Sequence, residues 1–242
     1  MLSRIFSFFA WIWFCVLFLI FFFLIAVTFL ITFPFDKYRK APNYVLSYLG
    51  LGLIRTSPGW KIEMDGLDKY DRGTPTIFIA NHQSFLDMAL LYQLPWQMKW
   101  VSKRSLAFIP IMGWMVWLTG QLTINRTSKS AIRKLDNLVQ PLKDGIPVMI
   151  FPEGTRSLDG KMKHFKNGAF LLAKEHNFML QPMVIDGGYK AMPSGSKVLN
   201  PKASFRVRVM DPIDPTKFND MRSLKDHCHA IMEKELKEIR SN

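Results

Sequence analysis

Two short runs of this sequence set titratable and anion-gripping side chains directly behind apolar segments. The first is Asn81-His82-Gln83-Ser84-Phe85-Leu86-Asp87, which follows Ile77-Phe78-Ile79-Ala80. An imidazole takes up a proton near neutral pH, its ordinary pKa being ~6.5, and a carboxylate on its far nitrogen would fix the tautomer and steady the imidazolium. Open α/β sheets build their sites from polar side chains just past the C-terminal ends of strands. On one helix, at ~100° per residue, His82 and Asp87 would point ~140° apart. Cooperation therefore requires His82 in a turn and Asp87 on the first helical turn. Ser84 and Asp87 have the spacing of a helix capping box with Ser84 as N-cap, which supplies that break and also gives Asp87 a purely structural role.

The second run, Phe151-Pro152-Glu153-Gly154-Thr155-Arg156-Ser157, follows Val148-Met149-Ile150. Glycine beside Thr155 and Arg156 lets the backbone approach an anion, and a guanidinium grips phosphate oxygens in a bidentate fork. Glu153 can fix Arg156 or accept a hydrogen bond from a substrate hydroxyl. The alternative for this run is a surface turn closed by a salt bridge.

The elements that must position these runs alternate between short β-like and helical stretches after Gly59, an α/β pattern. Strands are expected at Thr76–Ala80, Met98–Ser102, Gln121–Ile124, Pro147–Phe151, Leu180–Ile185 and Phe205–Met210, and helices at Ser84–Tyr92, Ile109–Leu118, Ser128–Lys143, Asn167–His176 and Met221–Arg240. A chain of 242 residues suits one catalytic domain, expected over 59–242, with an anchoring segment over 1–58. From Ile5 to Phe35 no residue is charged, a run longer than the ~20 apolar residues that span a bilayer. A cleavable signal would have an apolar core of roughly 7–15 residues. Lys37, Arg39 and Lys40 behind the run, against Arg4 before it, favour a cytoplasmic side for the rest of the chain. Residues 42–57 suit a second helix, lying in the interface, folding back on the first, or serving as an ordinary linker helix.

The formal charge of +13 divides as +4 over 1–58 and +9 over 59–242. Such a surplus seeks nucleic acid, anionic headgroups or phosphorylated substrates, and the apolar segment selects lipid among them. Two cysteines, Cys15 and Cys228, make a secreted disulfide framework an unsuitable reading.

Taken together, the motifs resemble the glycerophospholipid acyltransferase family, closest to the lysophosphatidic acid acyltransferases. The His-x4-Asp block is Asn81 to Asp87; a second block runs from Lys103 through Pro110, Gly113 and Gly120 to Asn125-Arg126. The third is Phe151 to Ser157, with Phe165-Lys166-Asn167-Gly168-Ala169 behind it, and the fourth is Leu180-Gln181-Pro182-Met183-Val184. The chain departs from the family at Asn125, where Asp often precedes the Arg, and at Gln181 and Met183, where Val commonly flanks the Pro. The resemblance implies a single mixed-sheet α/β acyltransferase domain flanked by helices, with an N-terminal membrane helix or helical hairpin. It implies His82 as general base and Asp87 as its partner. Glu153, Gly154, Thr155, Arg156, Arg126 and Lys103 would bind the acceptor's glycerol phosphate. The implied reaction moves a fatty acyl group from acyl-CoA or acyl carrier protein to 1-acyl-sn-glycerol-3-phosphate, giving phosphatidic acid, with membrane lipid as a partner, no nucleic acid and no cofactor. Other lysolipids or glycerol 3-phosphate are alternative acceptors, and a non-catalytic protein binding anionic lipid is the alternative of another class.

Three further features stand beside these motifs. Lys161, Lys163 and Lys166 form a basic cluster suited to coenzyme A phosphates or an acidic carrier, or simply a solvated face. Met112, Trp114, Met115 and Trp117 suit core or interfacial packing, or the lining of an acyl-chain tunnel. His227 and His229, two apart on a helix, point ~200° from each other and cannot chelate together.

Overall fold

The computed structural model describes residues 2–124 and 135–241. Within them seven strands form one sheet: β1 (Trp60–Asp65), β2 (Thr76–Ala80), β3 (Lys99–Lys103), β4 (Leu122–Ile124), β5 (Val148–Ile150), β6 (Met179–Asp186) and β7 (Ala203–Val209), in the order β1-β7-β6-β2-β5-β3-β4. The five strands from β6 to β4 run parallel, β7 is antiparallel to β6, and β1 is parallel to β7. The sheet is thus mixed. Six helices position the site and the anchoring segment: α1 (Leu2–Thr32), α2 (Lys40–Arg55), α3 (Asp87–Leu91), α4 (Met112–Leu118), α5 (Gly168–His176) and α6 (Met221–Ser241).

Strand β2 lies at the centre and is buried at every position, as expected of a strand covered on both faces. Side chains alternate along a strand, and β2 accordingly serves two cores. Phe78 and Ala80 join Trp100, Met149 and Met183 under α1 to α4, while Ile77 and Ile79 join Val148 and Val184 under α5 and α6. Leu224, Cys228, Met232, Leu236 and Ile239 form the buried stripe of α6. Register then aligns the two polar runs. Ile79 pairs with Ile150 on β5 and Ala80 with Met183 on β6, so the segments after β2 and β5 leave adjacent strands at the same edge.

The N-terminal segment is a hairpin. The Trp13 indole donates to Thr56 Oγ1 at 2.7 Å, Leu17 packs toward Gly52, and Arg39, in the left-handed region at φ 51°, turns the chain into α2. The Arg39 guanidinium lies 5.2 Å from the Phe29 ring centroid and 4.7 Å from that of Trp117. Folding back on α1, one of the expectations for 42–57, is what the structure shows.

Several boundaries differ from the sequence expectation. Strand β1 is absent from it, although Trp60, Ile62 and Met64 face inward between charged residues; it is an edge strand of alternating character behind a glycine turn. The helix expected from Ile109 begins at Met112, because Ile111 takes φ 64° and breaks it from the 3-10 turn Arg104–Phe108. Of the helix expected over Ser128–Lys143, the part through residue 134 lies outside the described residues. The remainder is a 3-10 turn, Asp136–Leu138, and the short helix Val139–Lys143.

Candidate active site

The segment after β2 is fixed by its own side chains. Asn81 exchanges two hydrogen bonds with Ile185 of β6, donating from Nδ2 to its carbonyl and accepting its N–H at Oδ1, both at 2.8 Å. The Gln83 amide also donates to Ile185 O, at 2.9 Å. In an extended segment residues 81 and 83 point away from residue 82, so both anchors leave His82 on the other side. Neither Asn81 nor Gln83 carries this role in the sequence expectation, though their period-two spacing around His82 announces it.

His82 is held from both backbone ends by the second polar run. Its N–H donates to Glu153 Oε1 at 2.8 Å, and its carbonyl accepts from Ser157 N at 2.8 Å. Its ring stacks on Phe151 at 4.0 Å between centroids and 9° between planes. His82 Nδ1 lies 2.8 Å from Asp87 Oδ2, which also accepts the N–H groups of Gln83 at 2.6 Å and Ser84 at 2.8 Å. A carboxylate oxygen that gathers backbone donors is an acceptor toward the ring as well. Nδ1 therefore carries a proton, which makes Nε2 the basic nitrogen whenever the ring is neutral. Asp87 begins α3, and His82 sits in the turn before it, the arrangement that cooperation requires.

The capping-box spacing is half realised. Asp87 reaches back to Ser84 N as the returning member of such a box would, but Ser84 Oγ donates to Met192 O at 2.8 Å and helix α3 starts three residues later than expected. The other oxygen, Asp87 Oδ1, is buried without a hydrogen-bond partner among the described residues. It faces Gly188, where an added Cβ would stand 2.5 Å from it.

A cleft of about 450 Å³ opens over His82, with Lys103 at the end of β3 and Thr155, Arg156 and Lys166 behind β5. Among the described residues no acidic side chain lines it. Gly154 adopts φ 71°, and a Cβ there would meet Lys166 Nζ at 2.9 Å, so the glycine admits the lysine side chain as well as the turn. Of the expected lysine cluster, Lys166 alone enters the cleft. Lys163 instead braces the second run, its Nζ donating to Arg156 O at 2.8 Å and its N–H to Glu153 Oε2 at 3.0 Å.

Glu153 stands behind the cleft rather than in it, a correction to the expectation that it meets substrate or Arg156. Its two oxygens accept the His82 and Lys163 N–H groups, and the residue is 3 % exposed. Burial pushes its carboxyl up to about 7 against the opposing pull of those two hydrogen bonds. Arg126 lies outside the described residues. On the far side of Phe85, Met88 and Leu106 the cleft adjoins a small apolar cavity of about 90 Å³ lined also by Met112 and Met115. Trp114 and Trp117, expected beside them, are exposed and pack on Phe22 and Phe29 of α1. His227 and His229 diverge to Phe218 and Phe165.

Comparison with known proteins agrees with this fold. A family described as Acyltransferase matches residues 61–186. A 1-acyl-sn-glycerol-3-phosphate acyltransferase of Chlamydomonas reinhardtii is 37% identical over 188 residues, 77% of this chain and 56% of that protein. The alpha form from Bos taurus is 30% identical over 207 residues, 83% of this chain and 71% of that one. The chain spans only a little over half the length of the curated relatives of highest identity. The crystal structure of the 1-acyl-sn-glycerophosphate (LPA) acyltransferase PlsC from Thermotoga maritima shares the fold, with a TM-score of 0.75 and 22% identity over 96% of this chain and 98% of that one.

Proposed function

The chain belongs to the acyltransferase family, and from that premise we propose that it transfers a fatty acyl group from a thioester to the free hydroxyl of 1-acyl-sn-glycerol-3-phosphate. The observation that carries the reading is the His82–Asp87 pair on the floor of a cleft whose charged lining is cationic only. His82 Nε2 takes the hydroxyl proton as the oxygen attacks the thioester carbonyl. The tetrahedral intermediate collapses with cleavage of the C–S bond, and the imidazolium returns the proton to the departing thiolate. The products are phosphatidic acid and a free thiol, on either coenzyme A or a carrier protein. Asp87 stabilises the imidazolium between the two proton transfers. The acceptor hydroxyl takes the place of a serine nucleophile, so the steps as written need no acyl-enzyme, metal or redox cofactor.

Lys103, Arg156 and Lys166 would hold the acceptor's phosphate, with Gly154 and Thr155 shaping the turn beside it. Their contribution is positional, since fixing a hydroxyl about 3 Å from both base and thioester removes much of the entropic barrier. An acyl chain would run past Phe85 and Met88 toward Met112 and Met115.

Access to such substrates suits the hairpin. Contacts to the domain recur along α1 from Ser7, bonded to Leu199, to Phe29, against Trp117; at 1.5 Å per residue these lie roughly 33 Å apart. That matches the ~30 Å hydrocarbon core, so an upright crossing would carry the attached domain into lipid. We therefore place α1 flat in one leaflet, with exposed Phe8, Phe9, Phe23, Leu30, Phe108 and Trp114 immersed and the domain on the cytoplasmic side.

The test is product formation by mass spectrometry with lysophosphatidic acid and acyl thioesters of both carrier types in micelles. Wild-type protein should yield phosphatidic acid, and His82→Ala should lose roughly 10²–10⁴-fold in rate, the usual worth of a general base. Equal rates from both proteins would overturn the assignment of the base, and no product from any lysolipid and donor would overturn the reaction.

A further inference from the structure

A second cavity lies at the other end of the sheet. It holds about 490 Å³ between α2 and the segment from Tyr92 to Lys99, at the strand ends where β2, β5 and β3 begin, whereas the catalytic runs leave where β2 and β5 finish. Lys99 and Lys103 are the two ends of β3, so one strand carries a cation to each site, roughly 13 Å apart at ~3.3 Å per residue.

Four basic residues from three segments line this cavity, Lys40 and Arg55 of α2, Arg72 and Lys99, with no acidic residue among the described lining. Both arginines are tied to the segment opposite α2. Arg55 Nε donates to Gln93 Oε1 at 3.2 Å and Arg72 Nη2 to Pro95 O at 3.1 Å, which among the described residues leaves the rest of each guanidinium fork for a ligand.

Lys99 is the buried member of the four. It is 3 % exposed, and its ammonium donates to two carbonyls, Thr119 O at 2.6 Å and Arg39 O at 3.2 Å. No carboxylate lies within ion-pair distance among the described residues. Burial pulls its ammonium down to about 7, opposed by the charge of Asp36, while the charges of Arg39 and Lys40 add to the fall. A buried cation compensated only by carbonyl dipoles is costly, and an ammonium has three donors. An anion in the cavity would supply the missing countercharge.

We propose that this cavity is a second phosphate site, separate from the catalytic cleft, that holds the phosphodiester headgroup of a membrane phospholipid. The rim favours a lipid over a soluble anion. Tyr44 and Tyr48 stand half-exposed on the outer side of α2, their rings 5.1 Å apart and their hydroxyls 3.0 Å apart. Such amphipathic rings settle at headgroup level, and α2 is the partner of the apolar α1. Leu51 and Leu94 beside them offer an apolar path for the first part of an acyl chain. A headgroup held here is also coupled to the hairpin, because Lys99 bonds the Arg39 carbonyl at the turn between α1 and α2.

The experiment titrates delipidated full-length protein with dihexanoyl phosphatidylglycerol, a diester that offers no acceptor glycerol phosphate, and counts bound lipid by native mass spectrometry. The wild type should bind, Lys40→Gln/Arg72→Gln should weaken binding at least tenfold, and Arg156→Gln should leave it unchanged. Arg55→Gln repeats the test with one exposed charge and should weaken binding about threefold, the effect expected of a single partly solvated cation. A 100-fold excess of inorganic phosphate should not displace the lipid. Wild-type affinity in the cavity variants, loss of binding in Arg156→Gln, or displacement by inorganic phosphate would each overturn the proposal: the first removes the site, the second moves the lipid to the cleft, and the third makes the ligand a soluble anion.

Discussion

Gly188 offers a way to disturb Asp87 without altering any side chain that touches substrate. An added Cβ at this position would stand 2.5 Å from Asp87 Oδ1 and 3.1 Å from Ser84 Cβ. Ordinary carbon–oxygen contacts begin near ~3.3 Å, so the carboxylate or the backbone at 188 must give by roughly 0.8 Å. The backbone has little room, because Met192 N donates to Gly188 O at 3.0 Å and Ala191 N to Gly187 O at 2.9 Å. Displacing the carboxylate by that amount would stretch the 2.8 Å contact with His82 Nδ1 to about 3.6 Å, outside hydrogen-bond range. A catalytic group misplaced by ~1 Å costs about 10²-fold in rate, or roughly 2.7 kcal/mol in the barrier.

Gly188→Ala should therefore lower kcat about 100-fold with little change in KM for the acceptor, since the cations of the cleft stand on other elements. The assay is steady-state product formation with the acceptor varied at saturating thioester, together with a thermal melt to show that the fold persists. A well-folded Gly188→Ala protein with kcat within threefold of wild type would sink this account, because it would mean that His82 works without its present contact to Asp87.

The same site yields two further outcomes. The Glu153 carboxyl is held at about 7 in the folded chain against 4.5 for the free group, so between those values the folded state keeps a proton that the unfolded state has lost. The Glu153 contribution to stability then falls as pH rises from about 4.5 to 7, by up to ~3 kcal/mol; Glu153→Gln should abolish this slope, and denaturant melts of both proteins from pH 4.5 to 7 would expose a slope that persists. Lys166→Gln should raise KM for lysophosphatidic acid about tenfold, the worth of one charge-assisted hydrogen bond, with KM for the thioester unchanged. A rise confined to the thioester would return Lys166 to the donor-binding role that its neighbours Lys161 and Lys163 suggest in the sequence.

The central fold is legible in the sequence because its strands are continuous apolar runs bounded by motif residues. Thr76–Ala80 agrees to the residue, and β5 and β6 differ by a residue at each end. What escapes is of two kinds. Strand β1 alternates apolar and charged residues at a sheet edge, a weak signal beside the long runs of the centre. Glu153 reads as a substrate ligand because proximity in sequence to Arg156 suggests proximity in space. The turn at Gly154 separates them, and the carboxylate finds two backbone donors, one of them 71 residues away. Sequence spacing reports which residues leave a strand together; it does not report which way each turns once it has left.

Asp87 shows why the structural and catalytic readings of one residue need not compete. One oxygen, Oδ2, receives the Gln83 and Ser84 N–H groups at the entry to α3 and the His82 ring at the same time. The bonds that close the turn before α3 are thus the bonds that set the direction of the carboxylate. An asparagine at 87 could close the same turn with its carbonyl oxygen, yet it carries no charge to stabilise an imidazolium. Under the proposed mechanism, turn closure and countercharge are separable functions of a single oxygen, and the spacing from Ser84 to Asp87 records only the first of them.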